Sequence, residues 1–223
     1  MKLLVTTVII ASGAAISVLG PRSAVAENAC DAWDVEYTTA ATLGIRDTRM
    51  GAGDGDHAVG PGSLTLRFDG PTGPAPGPVK MVAYSMRELF TVEAKALFWN
   101  TKVTTDTTST ATADACGVVA EGTLARTRLG WSSTVRNYKT DGSLTCDGSM
   151  CGKFGAPPQG KSDYHSPPGN VTFASFDMSA DLKTFTMAAS MVSKSDSPSQ
   201  TTYLTLAGRE NKRTCVHAKP CKK

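Results

Sequence analysis

The sequence predicts an all-β fold, either an antiparallel β-sandwich or a β-barrel with Greek-key or meander connections, reinforced by disulfides. Three observations predict it. Apolar and polar side chains alternate at period two along several segments, which is typical of half-buried strands. Clusters of turn-forming residues separate these segments. Six cysteines follow an export signal, and thiols in an oxidising compartment form disulfides.

The N-terminal segment has the composition of a secretory signal peptide. Lys2 supplies a basic tip, residues 3–19 are apolar, and Ser23–Ala26 ends in an Ala-x-Ala pattern, which predicts cleavage after Ala26. We therefore expect residues 1–26 to be a signal peptide and the protein to be exported, either secreted or periplasmic. No later apolar run reaches the roughly 20 residues of a membrane span, so no transmembrane segment is predicted.

The first strands are predicted from alternation. Trp33–Tyr37 places aromatic and branched residues on one face and acids on the other. Ser63–Phe68 alternates in the same way, with Leu64, Leu66 and Phe68 on the inward face. Both segments are therefore predicted to be strands with one buried face.

Residues 85–99 fit two structures. Ser85 and Glu88 have the spacing of a capping box, followed by good helix formers, which favours a short covering helix. Against that, Phe90, Val92 and the apolar residues that follow keep an unbroken period-two alternation. The strand is the preferred interpretation, and the helix is the alternative.

Turn chemistry organises the second half of the chain. Asp141-Gly142 predicts a tight hairpin between strands Val135–Thr140 and Ser143–Cys146, because both turn positions need positive φ. Two proline-rich stretches, Asp69–Pro78 and Gly155–Gly169, are predicted to be loops. The last third is predicted to be a three-strand meander over Val171–Phe176, Leu182–Ser193 and Thr201–Ala207.

The C-terminal end of the exported chain is rich in basic residues. The full sequence has a formal net charge of +3. Residues 27–208 are expected to form a single all-β domain, with strands from about Trp33 to Ala207, and residues 209–223 a basic, cysteine-containing C-terminal tail. No aromatic residue interleaves with the basic residues of that tail to stack on bases, so no nucleic-acid partner is predicted.

All six cysteines lie after the predicted cleavage site, and six cysteines allow 15 pairings. Cys146 and Cys151 flank Asp147-Gly148, a turn that brings the two sulfurs together, so this pair is expected. Local spacing favours a second pair between Cys215 and Cys221, which leaves Cys30 and Cys116 to pair with each other. A zinc site built from Cys146, Cys151, Cys215, Cys221 and His217 is the alternative, and export disfavours it.

The segment Gly51–His57 is glycine-rich and carries Asp54 and Asp56. Two carboxylates separated by glycine can present oxygens to one hard cation, and the pattern partly matches a calcium-binding glycine/aspartate repeat. It occurs once, and no acidic residue follows at the spacing that completes a helix-loop-helix calcium loop. A flexible turn is therefore preferred, with a calcium-stabilised β module as an alternative.

Hydrolase signatures are weak. Gly130–Thr134 has Thr134 where a nucleophile elbow requires its second glycine. The histidines available as a base are His57, His165 and His217, and His165 follows Asp163-Tyr164 in the second proline-rich stretch. A hydrolase whose site is assembled from loops, with His57 or His165 as base, is the alternative from the enzyme class.

We expect a non-catalytic envelope or extracellular protein that binds a small ligand, a glycan or a protein partner, an expectation drawn from the fold class. No catalytic residue, cofactor-binding residue or metal ligand is assigned.

Trp33, Trp99 and Trp131 are expected in the core, with a sugar-stacking row as the alternative. Asn170-Val171-Thr172 matches the N-glycosylation acceptor pattern.

Overall fold

The computed structural model of the protein describes residues 30–46, 54–96, 99–153, 156–193 and 200–217; the predicted signal peptide lies outside them. Over these ranges the chain forms twelve strands and no helix, which confirms the all-β prediction. The strands are β1 (Ala32–Arg46), β2 (Gly55–Asp69), β3 (Gly77–Ala96), β4 (Trp99–Ala111), β5 (Ala120–Ala125), β6 (Arg128–Trp131), β7 (Val135–Gly148), β8 (Gly160–His165), β9 (Gly169–Val171), β10 (Phe176–Met178), β11 (Thr184–Ser193) and β12 (Gln200–Val216).

Eight of these strands close into an antiparallel barrel. Its order is β1-β2-β3-β5-β6-β10-β11-β12, and β12 pairs with β1 to complete the circle. Of the two architectures that the sequence predicts, the structure is therefore the barrel. Closure removes the free edges that an open sheet of these strands would expose.

The barrel interior is filled by side chains. The inward residues of β1 and β2 alternate as predicted, and Leu64, Leu66 and Phe68 are fully buried. Rings from three strands meet at the centre, where Phe185 stacks on Phe176 with centroids 4.7 Å apart and meets the edge of Tyr37 at 5.2 Å. An eight-stranded barrel is just wide enough for its own side chains to fill, and here they do.

Strand β3 has different neighbours along its length. Its first residues pair with β5, and its pairing with β2 continues to Met86, whereas Tyr84–Ala96 pairs with β4 and the strand leaves the barrel beyond Met86. Strand β7 continues beyond β4, and β8 and β9 pair with β7. We call this extension, built from residues 84–96 of β3 with β4, β7, β8 and β9, the side sheet.

The course of β3 decides between the two interpretations of residues 85–99. The segment is strand through Ala96, and a second strand begins at Trp99, so the strand prediction is confirmed and the capping-box helix is wrong. Thirteen consecutive pairs join β3 to β4, and this pairing outweighs the local helix propensity of the sequence.

The hairpin predicted at Asp141-Gly142 does not exist. Strand β7 runs through both residues, with Asp141 opposite Thr108 on β4 and opposite His165 on β8. Gly142 serves another purpose, since a Cβ placed on it would lie 2.5 Å from the Cα of Thr107. The glycine permits close approach of the β7 and β4 backbones, which is a common reason for glycine inside a strand.

The predicted meander is present, with different bounds. Strands β10, β11 and β12 are antiparallel neighbours in chain order, but β9 and β10 replace the single strand predicted over Val171–Phe176. The first proline-rich stretch is a loop up to Pro76, as predicted. The second, Gly155–Gly169, contains strand β8, whose backbone pairs with β7 although its side chains are polar.

The disulfides correct the predicted pairing. Cys146–Cys151 is confirmed. Cys30 bonds to Cys215, not to Cys116, because antiparallel pairing of β1 with β12 brings the two ends together at a Cα–Cα distance of 5.4 Å. The predicted pair Cys215–Cys221 is therefore wrong. Cys116 is also disulfide-bonded, and Cys221 lies outside the described residues.

The basic tail predicted from Arg209 begins as part of the barrel. Strand β12 continues to Val216, and it pairs with β1 from Thr201 to Val216. Backbone pairing accepts charged side chains where they can point to solvent, and Arg213 forms an ion pair with Glu210 at 2.7 Å. The last basic residues of the chain lie outside the described residues.

Candidate functional site

A carboxylate interrupts an otherwise apolar face where β3 leaves the barrel. Alternate residues of a strand share a face, so Glu88 lies on the same face as the buried residues Tyr84 and Met86 and the half-buried Phe90. A charged group in such a position is costly unless it is hydrogen-bonded. The hydrogen-bond partners of Glu88 therefore show whether the fold stabilises this charge.

Two hydroxyl groups from β4 hold the carboxylate. Ser109 Oγ donates to Glu88 Oε1 at 2.7 Å, and Thr107 Oγ1 donates a longer bond to Oε2 at 3.5 Å. Register explains the contact, because Glu88 lies opposite Thr107 and Ser109 is the next residue of β4 on the same face. Ser109 is fully buried and Thr107 nearly so. Hydrogen bonds to a charged acceptor are stronger than those between two neutral groups.

The hydroxyl network continues to β7. Ser109 Oγ lies 2.8 Å from Thr140 Oγ1. Since Ser109 has one hydroxyl proton and gives it to Glu88, Thr140 must be the donor to Ser109. The phenol of Tyr138 lies beside these hydroxyls and interacts with Ser109, Thr140 and Tyr84. The donors are thus arranged in sequence and point toward the carboxylate.

Aromatic rings flank the network on two sides. The rings of Tyr84 and Tyr138 are 5.9 Å apart, and Tyr84 meets the edge of Phe173 at 5.2 Å. On the other side, His57 from the barrel strand β2 lies over Phe90 with centroids 5.4 Å apart. Burial raises the pKa of Tyr84 and of Tyr138 above that of an ordinary phenol, so both rings stay neutral near pH 7.

Glu88 has no basic partner among the described residues, whereas several other acids have one. Among the described residues Asp34 pairs with Arg67, Asp56 with Arg46 and Asp106 with Arg87. The contacts of Glu88 within the same ranges are hydroxyl groups. An ionised carboxylate has about four acceptor positions, and the hydroxyls occupy two of them. The remaining positions give this half-buried charge the capacity to bind a donor from outside.

The two carboxylates of the alternative calcium site are exposed. Asp56 Oδ1 accepts from Arg46 Nη2 at 2.6 Å, and Asp54 directly precedes β2. Residues 51–53 lie outside the described ranges. Within those ranges no group of three or more His, Cys, Asp or Glu side chains converges on a point where a metal ion could bind. Cys215, a ligand of the alternative zinc site, is oxidised.

The histidines of the hydrolase alternative have different neighbours among the described residues. His165 Nδ1 lies 3.0 Å from Asp141 Oδ1, but the pair is on the solvent side of the side sheet and the histidine side chain is 69% exposed. His57 borders the Glu88 network through Phe90. His217 Nε2 lies 3.9 Å from Cys215 Sγ. A carboxylate–histidine pair on an open surface lacks the concave setting that catalysis requires.

The tryptophans do not form an exposed stacking row in the described part of the chain. Trp131 is half-buried and meets the edge of Phe176 at 5.2 Å, next to the barrel core, as expected. Trp33 is also half-buried on β1. The side chain of Trp99 lies outside the described residues. Asn170 and Thr172 of the glycosylation pattern are both exposed.

A second surface feature is a shallow groove of about 630 Å³ on the outer wall of the barrel. It lies where β1, β2, β11 and β12 meet, and small side chains such as Ala40, Pro61 and Ala207 line it. Arg209 is its charged residue. Such a smooth, apolar surface offers few directional contacts, so the Glu88 network is the better candidate for a specific site.

Sequence reasoning missed Glu88 as a site residue because it considered the residue only as part of the alternative capping box. The signal was present in the alternation, since Tyr84, Met86, Glu88 and Phe90 are spaced by two residues and the acid alone breaks an apolar face. The donors Thr107 and Ser109 could not have been assigned, because their position opposite Glu88 depends on the register between β3 and β4.

Comparisons with protein-family models, with curated proteins and with solved structures gave no match for the chain. No helix that could cross a membrane occurs in the part of the chain that the structure describes. The class that the structure defines is a disulfide-bonded, closed eight-stranded antiparallel barrel with a side sheet. A fold of this class does not by itself identify a function, so the residues of the site carry that information.

Proposed function

We propose that this is an exported, non-catalytic binding protein whose ligand binds on the side sheet at Glu88. The observation that carries the proposal is a half-buried carboxylate with hydroxyl donors on one side and no basic partner in the described residues. A buried or half-buried charge costs stability unless it is paired, so a group that completes the pairing from outside is the simplest reason for its presence.

The barrel lumen is a poorer candidate for the binding site. Small barrels that carry ligands leave an internal cavity, but here large side chains occupy the centre. The residues with less than 2% of their surface exposed include Tyr37, Phe68, Phe176, Phe185, Leu64, Leu66, Met81, Leu124, Leu129 and Leu206. A ligand would have to displace them, at the cost of the packing that stabilises the fold.

Export is supported by the cysteines and by the sequence of the N-terminus. Disulfides persist in oxidising compartments, and Cys30–Cys215 joins residues 185 positions apart. The signal-peptide pattern predicts a mature chain that starts at Glu27. The intact mass of protein isolated from its producing cells tests this directly, and a chain that retains residues 1–26 would contradict it.

A map of binding by amide NMR spectroscopy tests the proposed function. The oxidised full-length mature protein is titrated with four small probes: an organic cation, a methyl glycoside, a short carboxylate and an aliphatic alcohol. At least one probe should shift amides of β3, β4 and β7 near Glu88 in a saturable way, while amides of the barrel interior stay unchanged. Shifts confined to the barrel, or no saturable shift on the side sheet with any probe, would overturn the proposal.

A further inference from the structure

We propose that the group bound by Glu88 is a planar organic cation, a guanidinium such as an arginine side chain carries. This inference deepens the proposed function and rests on it. It is carried by three features of the site that are independent of one another: the charge, the direction of the hydrogen-bond donors, and the rings beside the carboxylate.

The charge of Glu88 and the side chains around it favour an organic cation over the other ligand classes. An anionic ligand would meet the carboxylate of Glu88, and no described basic residue lies there to compensate. A metal ion would need several oxygen or nitrogen ligands, and no such group of acidic, histidine or cysteine side chains exists in the described ranges. A neutral polyol could bind, but it would leave the charge uncompensated.

The hydrogen-bond geometry favours a ligand with two donors. Ser109 bonds one oxygen of the carboxylate and Thr107 bonds the other, so both oxygens are fixed from the β4 side. Each oxygen keeps one acceptor position on its remaining side. A guanidinium presents two parallel N–H donors that match the two oxygens of a carboxylate, whereas an ammonium presents a point charge.

The neighbouring rings suit a planar cation. Phe90 follows Glu88 on the same face, and Tyr138 stands on the other side of the hydroxyl network. Aromatic faces attract cations, and guanidinium also stacks on rings because it is planar and weakly hydrated. His57 of β2 lies over Phe90 beside the site.

The test compares N-acetyl-argininamide with N-acetyl-citrullinamide, which has the same shape without the charge. Binding to the oxidised protein is measured from amide shifts on β3 and β4. The arginine derivative should bind at least about tenfold more tightly than the citrulline derivative, since a charged pair replaces a neutral hydrogen bond. Added salt should weaken binding of the arginine derivative and leave the citrulline derivative unaffected.

Variants assign the effect to one carboxylate. Glu88→Gln should remove the preference for arginine, while Glu121→Gln, which changes an exposed glutamate on β5, should keep it. If Glu88→Gln does not fold, the ratio of the two affinities in the unmodified protein and its salt dependence still test the guanidinium proposal. Equal affinities for the two derivatives would overturn the guanidinium proposal while leaving the binding site in place. Absence of saturable shifts near Glu88 with every probe would overturn both.

Discussion

The close contact between Gly208 and Phe185 gives the sharpest test of the barrel core. The two residues are opposite each other on β12 and β11. A Cβ placed on Gly208 would lie 2.6 Å from Cζ and 2.7 Å from Cδ1 of Phe185, and closer still to Cε1. Carbon atoms in contact are normally about 3.5–4.0 Å apart, so the Gly208→Ala substitution requires the ring to move by about 1 Å.

Two neighbouring rings pack against that of Phe185 and oppose its movement. Phe176 stacks against it at 4.7 Å, and Tyr37 meets it at 5.2 Å while its own hydroxyl donates to the Leu182 carbonyl at 2.7 Å. Overpacking of this kind costs roughly 1–3 kcal/mol. Removal of a glycine from a strand returns roughly 0.5–1 kcal/mol. We therefore expect Gly208→Ala to lower the free energy of unfolding by about 1–2 kcal/mol.

Urea unfolding of the oxidised protein measures this change as a lower midpoint at unchanged slope. Gly130→Ala is the matched control, because no atom lies within 4 Å of a Cβ at Gly130, and it should leave the midpoint unchanged or raise it slightly. Phe185→Leu should relieve the overlap, so the double variant should be more stable than the sum of the two single changes predicts. If Gly208→Ala were as stable as Gly130→Ala, the described packing of the core would be wrong.

Three further predictions concern the Glu88 network, the disulfides and the buried tyrosines. Ser109→Ala removes the short donor to Glu88 and should cost roughly 1.5–3 kcal/mol in urea unfolding; no loss would mean that the network does not form. Replacing Cys30 and Cys215 by serine should cost about 5 kcal/mol and replacing Cys146 and Cys151 about 2 kcal/mol, because the closed loops differ in length, 185 against 5 positions; the reverse order would contradict this. Burial raises the pKa of three tyrosines in the folded state, so above about pH 10 the unfolded chain loses protons that the folded chain keeps, and stability should fall by about 1.4 kcal/mol per pH unit for each proton that the folded chain retains. These tyrosines are Tyr37, Tyr84 and Tyr138, and stability that stays constant from pH 9.5 to about pH 11 would contradict their burial.

The fold could be predicted from the sequence wherever one face of a strand is buried. Ser63–Phe68 shows the period-two pattern because one side of the strand meets the core and the other meets solvent. Strand β8 shows no such pattern, since its side chains are polar on both faces and only its backbone pairs with β7. No signal in the side chains could have located it.

Pairings between distant segments could not be predicted. Asp141-Gly142 has the composition of a hairpin turn, and only the neighbours of β7 show that the glycine serves close backbone approach. Local spacing suggested Cys215 with Cys221, whereas the bond from Cys30 to Cys215 depends on the meeting of the first and last strands of the barrel. Both errors have one cause, since each prediction used local sequence spacing without the strand pairing that brings distant segments together.

Native mass spectrometry of protein purified from its producing cells tests the central claim, that a ligand binds at Glu88 and not in the barrel. The mass under native conditions is compared with the mass after denaturation for the unmodified protein, Glu88→Gln and Glu121→Gln. We expect a mass excess that vanishes on denaturation in the unmodified protein and in Glu121→Gln, and a bare Glu88→Gln. A bare unmodified protein, or the same excess in Glu88→Gln, would contradict the account.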